Sequence, residues 1–462
     1  MKSNKVLKAG IIYTLSNFFV KGLAFLTLPI FTRIMTSSDI GLFSNITSWF
    51  NILAIIVTVE LYSSLNVARF DYKDKLNDYI SSTLILGSLI TLIFYVIVLC
   101  FHSFFENLFM MDFLTLNTIF IYLLFYPAVQ MFQLKSQINY DYKYSVIISI
   151  ANAILSTTVA IILVYFYKLG LKGRVLGYYI PQIVIAIGVY YYLIKDTKKS
   201  RKYWKYALKI SIPLVFHLCA IYLLSAADKI MITKFISSEA NALYSVAYTI
   251  SLIVSLLWSS MNNAWSPWAY DKMENKEFDS LFNISKNYTI FFILIVFIFM
   301  LITPELLLIV GGKEYVPAKY VMPPVMIGYV FQFIYSLYVN IEFYHKKQKN
   351  IAIGTIIAAI INIILNYIFI PKFGYISAAY TTLIGYFCLF IIHYLFVKKL
   401  KCDKWYDINF FIKIIFISLS YMLLCIFLYN YFFIRYIFVF IIFVFAYIYC
   451  KKYICLIKNV RK

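Results

Sequence analysis

The sequence predicts an all-α integral membrane protein with about fourteen transmembrane helices, and three observations carry that prediction. Apolar runs of about 20 residues, the length that spans hydrocarbon as a helix, recur along the whole chain. Only 13% of the 462 residues are charged and 63% are hydrophobic, whereas a soluble surface needs about 25% charge. Lys and Arg also alternate between rich and poor loops from one run to the next. Residues 1–200 and 201–400 read as two six-helix lobes, and 401–462 as two additional helices with a basic cytoplasmic tail.

The first run, 9–31, follows Lys2, Lys5 and Lys8. It is too long for the core of a signal peptide and lacks a small-residue cleavage site, so it reads as an uncleaved span. Further spans read at 40–66, 79–101, 113–134, 144–166 and 173–194, completing the first six. A second six follow at 209–232, 240–264, 283–304, 320–344, 350–371 and 374–397, and a final pair at 409–429 and 432–450. Thirty Lys and Arg fall on the side of the N-terminus and nine on the other. The basic side faces the cytoplasm, which predicts cytoplasmic termini and an even number of spans. The net charge of +22 is therefore a topology signal, and no nucleic-acid partner is implied. Clusters such as 195–209 also suit anionic lipid. Seven cysteines without a CxxC pair imply neither a disulfide framework nor a metal site, and no cofactor motif is present.

The chain repeats itself at an offset of 201 residues. Arg33-Ile-Met-Thr-Ser-Ser-Asp-Ile-Gly-Leu-Phe-Ser44 aligns without a gap on Lys234-Phe-Ile-Ser-Ser-Glu-Ala-Asn-Ala-Leu-Tyr-Ser245. More loosely, Asn152-x-x-Leu155 echoes Asn362-x-x-Leu365, and Lys168-Leu-Gly170 echoes Lys372-Phe-Gly374. Six spans per half place both halves the same way up. That is a parallel repeat about the membrane normal.

These residues resemble the polysaccharide transporters of the MOP superfamily, the Wzx-type O-antigen and capsule flippases. The resemblance rests on the turn Arg33–Phe43, the pair Asp228-Lys229, the loop Gly311-Gly312-Lys313-Glu314-Tyr315, and the segments Asn362-Ile-Ile-Leu-Asn366, Ile370-Pro-Lys-Phe-Gly374 and Ser377-Ala-Ala-Tyr-Thr-Thr382. Ser377 and Asn241-Ala242 depart from the family's glycines and are expected to loosen helix packing slightly. The resemblance implies a MATE-like fold in the bacterial cytoplasmic (inner) membrane. It also implies translocation of undecaprenyl-diphosphate-linked oligosaccharide to the outer leaflet by alternating access, with membrane lipid, a polysaccharide polymerase and chain-length proteins as further partners.

A charged, hydroxyl-rich head group needs a hydrated passage, and ionisable residues inside spans point to one. Thr14, Asn17 and Lys21 share a helical face with Gly10, which suits cavity lining or a packing face with a snorkelling lysine. Asp228 and Lys229 are adjacent and project about 100° apart, so each is expected to meet a partner on another helix, as substrate contact or structural ion pair. His217 lies on the same face eleven residues earlier, as a proton group or as satisfied structure. Glu60, Glu342 and Asp228 are the acids available for coupling to H⁺ or Na⁺, with solvation at the interface as the alternative for the two glutamates. A coupling ion is useful because the membrane potential supplies about 2.3 kcal/mol per charge per 100 mV. Asn152, Asn362 and Asn366 read as interhelical hydrogen-bond glue.

Two other functions compete. A MATE-like multidrug exporter would share the core of twelve helices but favours an acidic cavity. A membrane oligosaccharide polymerase or glycosyltransferase would need a large outer domain, and the longest outer segment here is about fifteen residues around 303–319. No P-loop, HExxH or nucleophile elbow occurs, so the chain reads as a transporter and not an enzyme.

Lys21 gives the sharpest sequence-level test. A lysine at mid-span costs about 2.5–3.5 kcal/mol to insert, and its helical face offers no carboxylate. Lys21→Arg is expected to retain flipping, while Lys21→Ala and Lys21→Glu insert normally but block it. The readout is lipid-linked sugar held on the inner leaflet; normal surface polysaccharide from well-expressed Lys21→Glu returns Lys21 to packing.

Overall fold

A computed structural model describes the backbone of residues 2–460, and side chains over 12–451 apart from Thr14, Asn17, Lys21, Ala24 and Cys450. Helices form where apolar runs let the backbone satisfy its own hydrogen bonds, as hydrocarbon requires. The first group is α1 (Lys2–Ile34), α2 (Ser37–Val57), α3 (Leu65–Asp71), α4 (Leu76–Cys100), α5 (His102–Phe109), α6 (Phe113–Ile138), α7 (Tyr142–Ile161), α8 (Gly170–Ile194) and α9 (Lys202–Phe235). The second is α10 (Ser238–Glu274), α11 (Phe278–Leu301), α12 (Thr303–Val310), α13 (Met322–Tyr344), α14 (Gln348–Phe373), α15 (Tyr375–Lys399), α16 (Ile408–Leu428) and α17 (Phe432–Val460). Among the described residues, thirteen helices are long and apolar enough to cross a membrane. The 33-residue α1 brings the long helices to fourteen.

Helix ends follow local chemistry. The Thr36 hydroxyl accepts from Asp39 N–H at 3.1 Å to start α2, and Asp112 does the same for Thr115 N–H at 3.1 Å to start α6, each satisfying an orphan donor. Asp407 caps α16 through Phe410 N–H at 3.1 Å and pairs with Lys286 Nζ at 2.6 Å; the hydrogen bond from that lysine holds its carboxyl below the usual range. The second span is shorter than the expected 40–66. It stops at Val57 because Val59 and Glu60 both turn left-handed, at φ 52° and 50°. A β-branched residue is strained there, so the packing around this break holds it open. Lys168-Leu-Gly170 and Lys372-Phe-Gly374, matched in the repeat, both fall at a junction between helices, and both glycines have positive φ, +52° and +78°.

The chain forms two compact units, residues 1–242 and 243–462. In the first, α2, α6 and α8 share a core that includes Ile46, Phe120, Tyr122 and Tyr179. Helices α7 and α8 touch backbone to backbone, since a Cβ on Gly177 would overlap Ala160. A closer approach joins the two turns that the repeat equates. The hydroxyls of Ser38 and Ser238 lie 2.7 Å apart, and Asn241 Nδ2 donates to the Gly41 carbonyl at 2.8 Å. A Cβ on Gly41 would collide with the Ser238 carbonyl. Asn241 and Ala242 are fully buried here. The loosening expected from their departure from the family glycines is absent, because Gly41 supplies the close approach from the other copy.

In the second unit α13 is the axis: 83% of its membrane-length stretch is buried, against 6% for α17. The final pair of helices docks through polar clamps as well as apolar area. Arg435 grips the Glu305 carboxylate with both guanidinium arms at 2.6 Å and donates to the Leu301 carbonyl at 2.7 Å. Tyr429 donates to the Met300 carbonyl at 3.0 Å. The opposite faces of α16 and α17 expose Phe416, Phe427, Phe433 and Phe440, as a lipid-facing surface should.

The glycines offer a direct check. Gly41→Val is expected to destabilise by about 1–3 kcal/mol through overpacking. Gly188→Ala, whose Cβ meets nothing within 4 Å, is expected to stabilise by about 0.5–1 kcal/mol through helix propensity. Thermal unfolding in detergent reads both, and equal effects would remove the close approach at Gly41.

Candidate functional site

In the first unit the buried carboxylate of Glu60 sits at the break after α2, beyond the spanning helix rather than inside it. Its Oε1 accepts from the Ser63 hydroxyl at 2.9 Å, and its backbone carbonyl accepts from Ser211 Oγ on α9 at 3.3 Å. Burial raises its pKa above the usual carboxylate range, while the Tyr62 and Ser63 hydroxyls act against that rise. Cys219 and Tyr222 of α9 lie within reach of its charge. Here the site is a buried acid with hydroxyl neighbours, at a strained turn.

Helix α9 carries the other predicted polar residues of this unit. Asp228 is fully buried and Lys229 half-buried, and both are engaged with other groups. His217 is half-buried, and its Nδ1 meets no hydrogen-bond partner in the protein. Eleven residues of helix separate it from Asp228 by about 16 Å, so the two share a face without touching. Thr14, Asn17 and Lys21 lie outside the described side chains.

In the second unit Glu342 is completely buried rather than solvated. Its Oε2 lies 3.0 Å from His393 Nδ1 of α15, and the Tyr335 ring stacks on that imidazole at 5.5 Å. Glu342 Oε1 and His393 Nε2 meet no protein partner. Gly354 of α14 leaves room for the imidazole, since a Cβ there would stand 3.1 Å from Nε2. Asn366 Nδ2 donates to Asn362 Oδ1 at 3.1 Å, and Asn362 Nδ2 donates to Thr382 Oγ1 at 3.4 Å. Thr381 donates to Asn366 Oδ1, so these amides tie α14 to α15.

Sequence reasoning passed over several of these groups. His393 was invisible as a partner because 51 residues separate it from Glu342. Arg174 stands in sequence at the very start of a predicted span with no partner apparent, yet its guanidinium lies over Phe31 at 3.2 Å and Phe43 at 4.6 Å. Its position within the first turn of an apolar run was the available signal.

Comparison with known proteins decides the family. The polysaccharide biosynthesis protein family matches residues 6–273, more than half of the chain. The chain belongs to that family. The MatE family matches residues 213–368. A protein of the Lsg locus of Haemophilus influenzae is 24% identical over 374 residues, covering 77% of this chain and 89% of its own. A solved lipid II flippase, MurJ, in an inward closed conformation, has the same fold, with TM-score 0.73 and 18% identity over 96% of this chain and 100% of its own. An inward-facing multidrug MATE transporter of the MOP superfamily is also similar, with TM-score 0.61 and 14% identity over 86% of this chain and 98% of its own. The protein is thus a multi-pass membrane protein of the MOP superfamily, with the all-helical fold of the MurJ and MATE transporters.

The Glu342–His393 pair yields a prediction independent of transport. Glu342→Leu leaves a buried imidazole unpaired and is expected to destabilise this family member by about 1–3 kcal/mol. Adding His393→Phe should restore most of that loss, because both partners are then apolar. Chemical denaturation in detergent reads the cycle, and simple additivity would show that the two side chains do not depend on each other.

Proposed function

We propose that the protein flips an undecaprenyl-diphosphate-linked oligosaccharide, a repeat unit of a surface polysaccharide, from the inner to the outer leaflet of the bacterial cytoplasmic membrane. The observation that carries this reading is the likeness to a lipid II flippase over nearly the whole chain, joined to membership of a polysaccharide biosynthesis family. Lys and Arg, crowded into alternate loops, support cytoplasmic termini. Alternating access would expose the polar groups first to one leaflet and then to the other while the lipid tail stays in hydrocarbon. Lys21 would meet the diphosphate. Asp228, Lys229 and His217 would contribute on α9, and Glu60 or Glu342 would take the coupling ion, H⁺ or Na⁺. The product would pass to a polysaccharide polymerase and its chain-length partner.

A second reading, multidrug export, is favoured by the MatE match over residues 213–368. The exporter likeness covers 86% of the chain, ten percentage points less than the 96% of the flippase likeness. Deletion of the gene separates the two. The flippase reading expects surface polysaccharide to disappear and lipid-linked saccharide to accumulate on the inner leaflet, with drug sensitivity unchanged. Unchanged polysaccharide together with heightened sensitivity to cationic drugs would establish the exporter instead.

A further inference from the structure

A cavity of about 320 Å³ opens inside the first unit among α1, α6, α7 and α8. That is the lower end of the roughly 300–1,000 Å³ typical of small-molecule sites. Its polar lining includes Gln133 of α6, Ser149, Asn152 and Ser156 of α7, and Tyr178 and Gln182 of α8. None of these carries a charge. Three carboxamides and several hydroxyls at one spot are unusual within membrane helices, where an unmet polar group costs several kcal/mol.

Part of the set is satisfied internally. Gln133 Nε2 donates to Ser149 Oγ at 3.2 Å. Gln182 Nε2 donates to the Tyr178 carbonyl at 2.9 Å, and Gln182 Oε1 accepts from the Tyr122 hydroxyl at 2.9 Å. The remainder is not. Asn152 Oδ1 and Ser156 Oγ are buried with no protein partner, and Ser156 is only 2% exposed. Asn362 and Asn366 make the useful contrast: the same chemistry there closes on itself between α14 and α15. Asn152, expected to be glue like them, instead lines the cavity with its oxygen unpaired.

We infer that this cavity holds a sugar ring of the transported head group, a deepening that rests on the flippase reading above. Neutral amides and hydroxyls match vicinal hydroxyl and acetamido groups, which both donate and accept. An aromatic wall at Tyr178 suits the apolar face of a pyranose ring. The described lining residues carry no charge, so they suit the neutral sugar rather than the diphosphate. Asn152 and Ser156 become specificity-determining residues.

The experiment uses the full chain in nanodiscs, with two probes: lipid-linked saccharide extracted from the cells that make the protein, and plain undecaprenyl diphosphate. Wild type is expected to bind the saccharide-bearing lipid more tightly. Asn152→Leu and Ser156→Ala should reduce that preference by about five- to tenfold, the loss of one or two neutral hydrogen bonds, and leave undecaprenyl diphosphate binding unchanged. Neither variant orphans a protein partner of the buried oxygen, so the thermal midpoint should hold or rise. A preference unchanged in both variants would overturn the proposal and leave the cavity to water. Equal wild-type affinity for the two lipids would overturn it as well. Wild type that binds neither lipid would overturn the flippase reading itself.

Discussion

Hydrocarbon supplies no hydrogen bonds, so each polar group carried into the membrane must be met by another group of the protein or by something the protein transports. The helices answer this demand for the backbone, leaving the side chains as the informative part. Among the described residues, polar groups fall into two kinds. Some are paired or networked within the protein, such as Arg435 on Glu305 and the Asn362, Asn366, Thr381 and Thr382 set. Others keep open positions beside space, such as Asn152 and Ser156. The first kind holds helices together. The second is where a ligand belongs.

Close backbone approach is the other economy of the fold. Lipid tails are as apolar as leucine, so helices gain little from apolar burial alone and depend on contact at short range. Gly177 against Ala160 and Gly41 against Ser238 provide that contact. At the second position the two copies of one sequence motif face each other, joined by Ser38, Ser238 and Asn241. The internal repeat is therefore a physical contact as well as a pattern in the chain. A substitution that thickens either copy is felt by both.

The division of polar work bears on how a flippase would treat its cargo. Charge attracts a diphosphate at any orientation, because Coulombic attraction is weakly directional. Amides and hydroxyls reward only the correct arrangement of donors and acceptors, so they discriminate where charge cannot. A cavity whose described lining residues are uncharged, and include none of the ionisable residues of α9 or Glu60, suits the second task. It also accommodates change in sugar structure by exchange of a few side chains on α7, leaving helix packing intact.

Composition and the spacing of apolar runs determined that the chain is a bundle of about fourteen membrane helices, because a span needs only length and apolarity, both local properties. The 201-residue offset determined the repeat for the same reason, since matched turns are short and contiguous. Where the second span ends was decided by packing: Val59 and Glu60 adopt left-handed conformations that no local rule assigns to them. Tertiary structure alone joined Glu342 to His393 across 51 residues and set the Arg174 guanidinium over the rings of Phe31 and Phe43. It also separated Asn152 from Asn362, which look alike in sequence. The physical reason is common to all of these. Whether a polar side chain is satisfied depends on what the neighbouring helices bring to it, and that is a property of three dimensions.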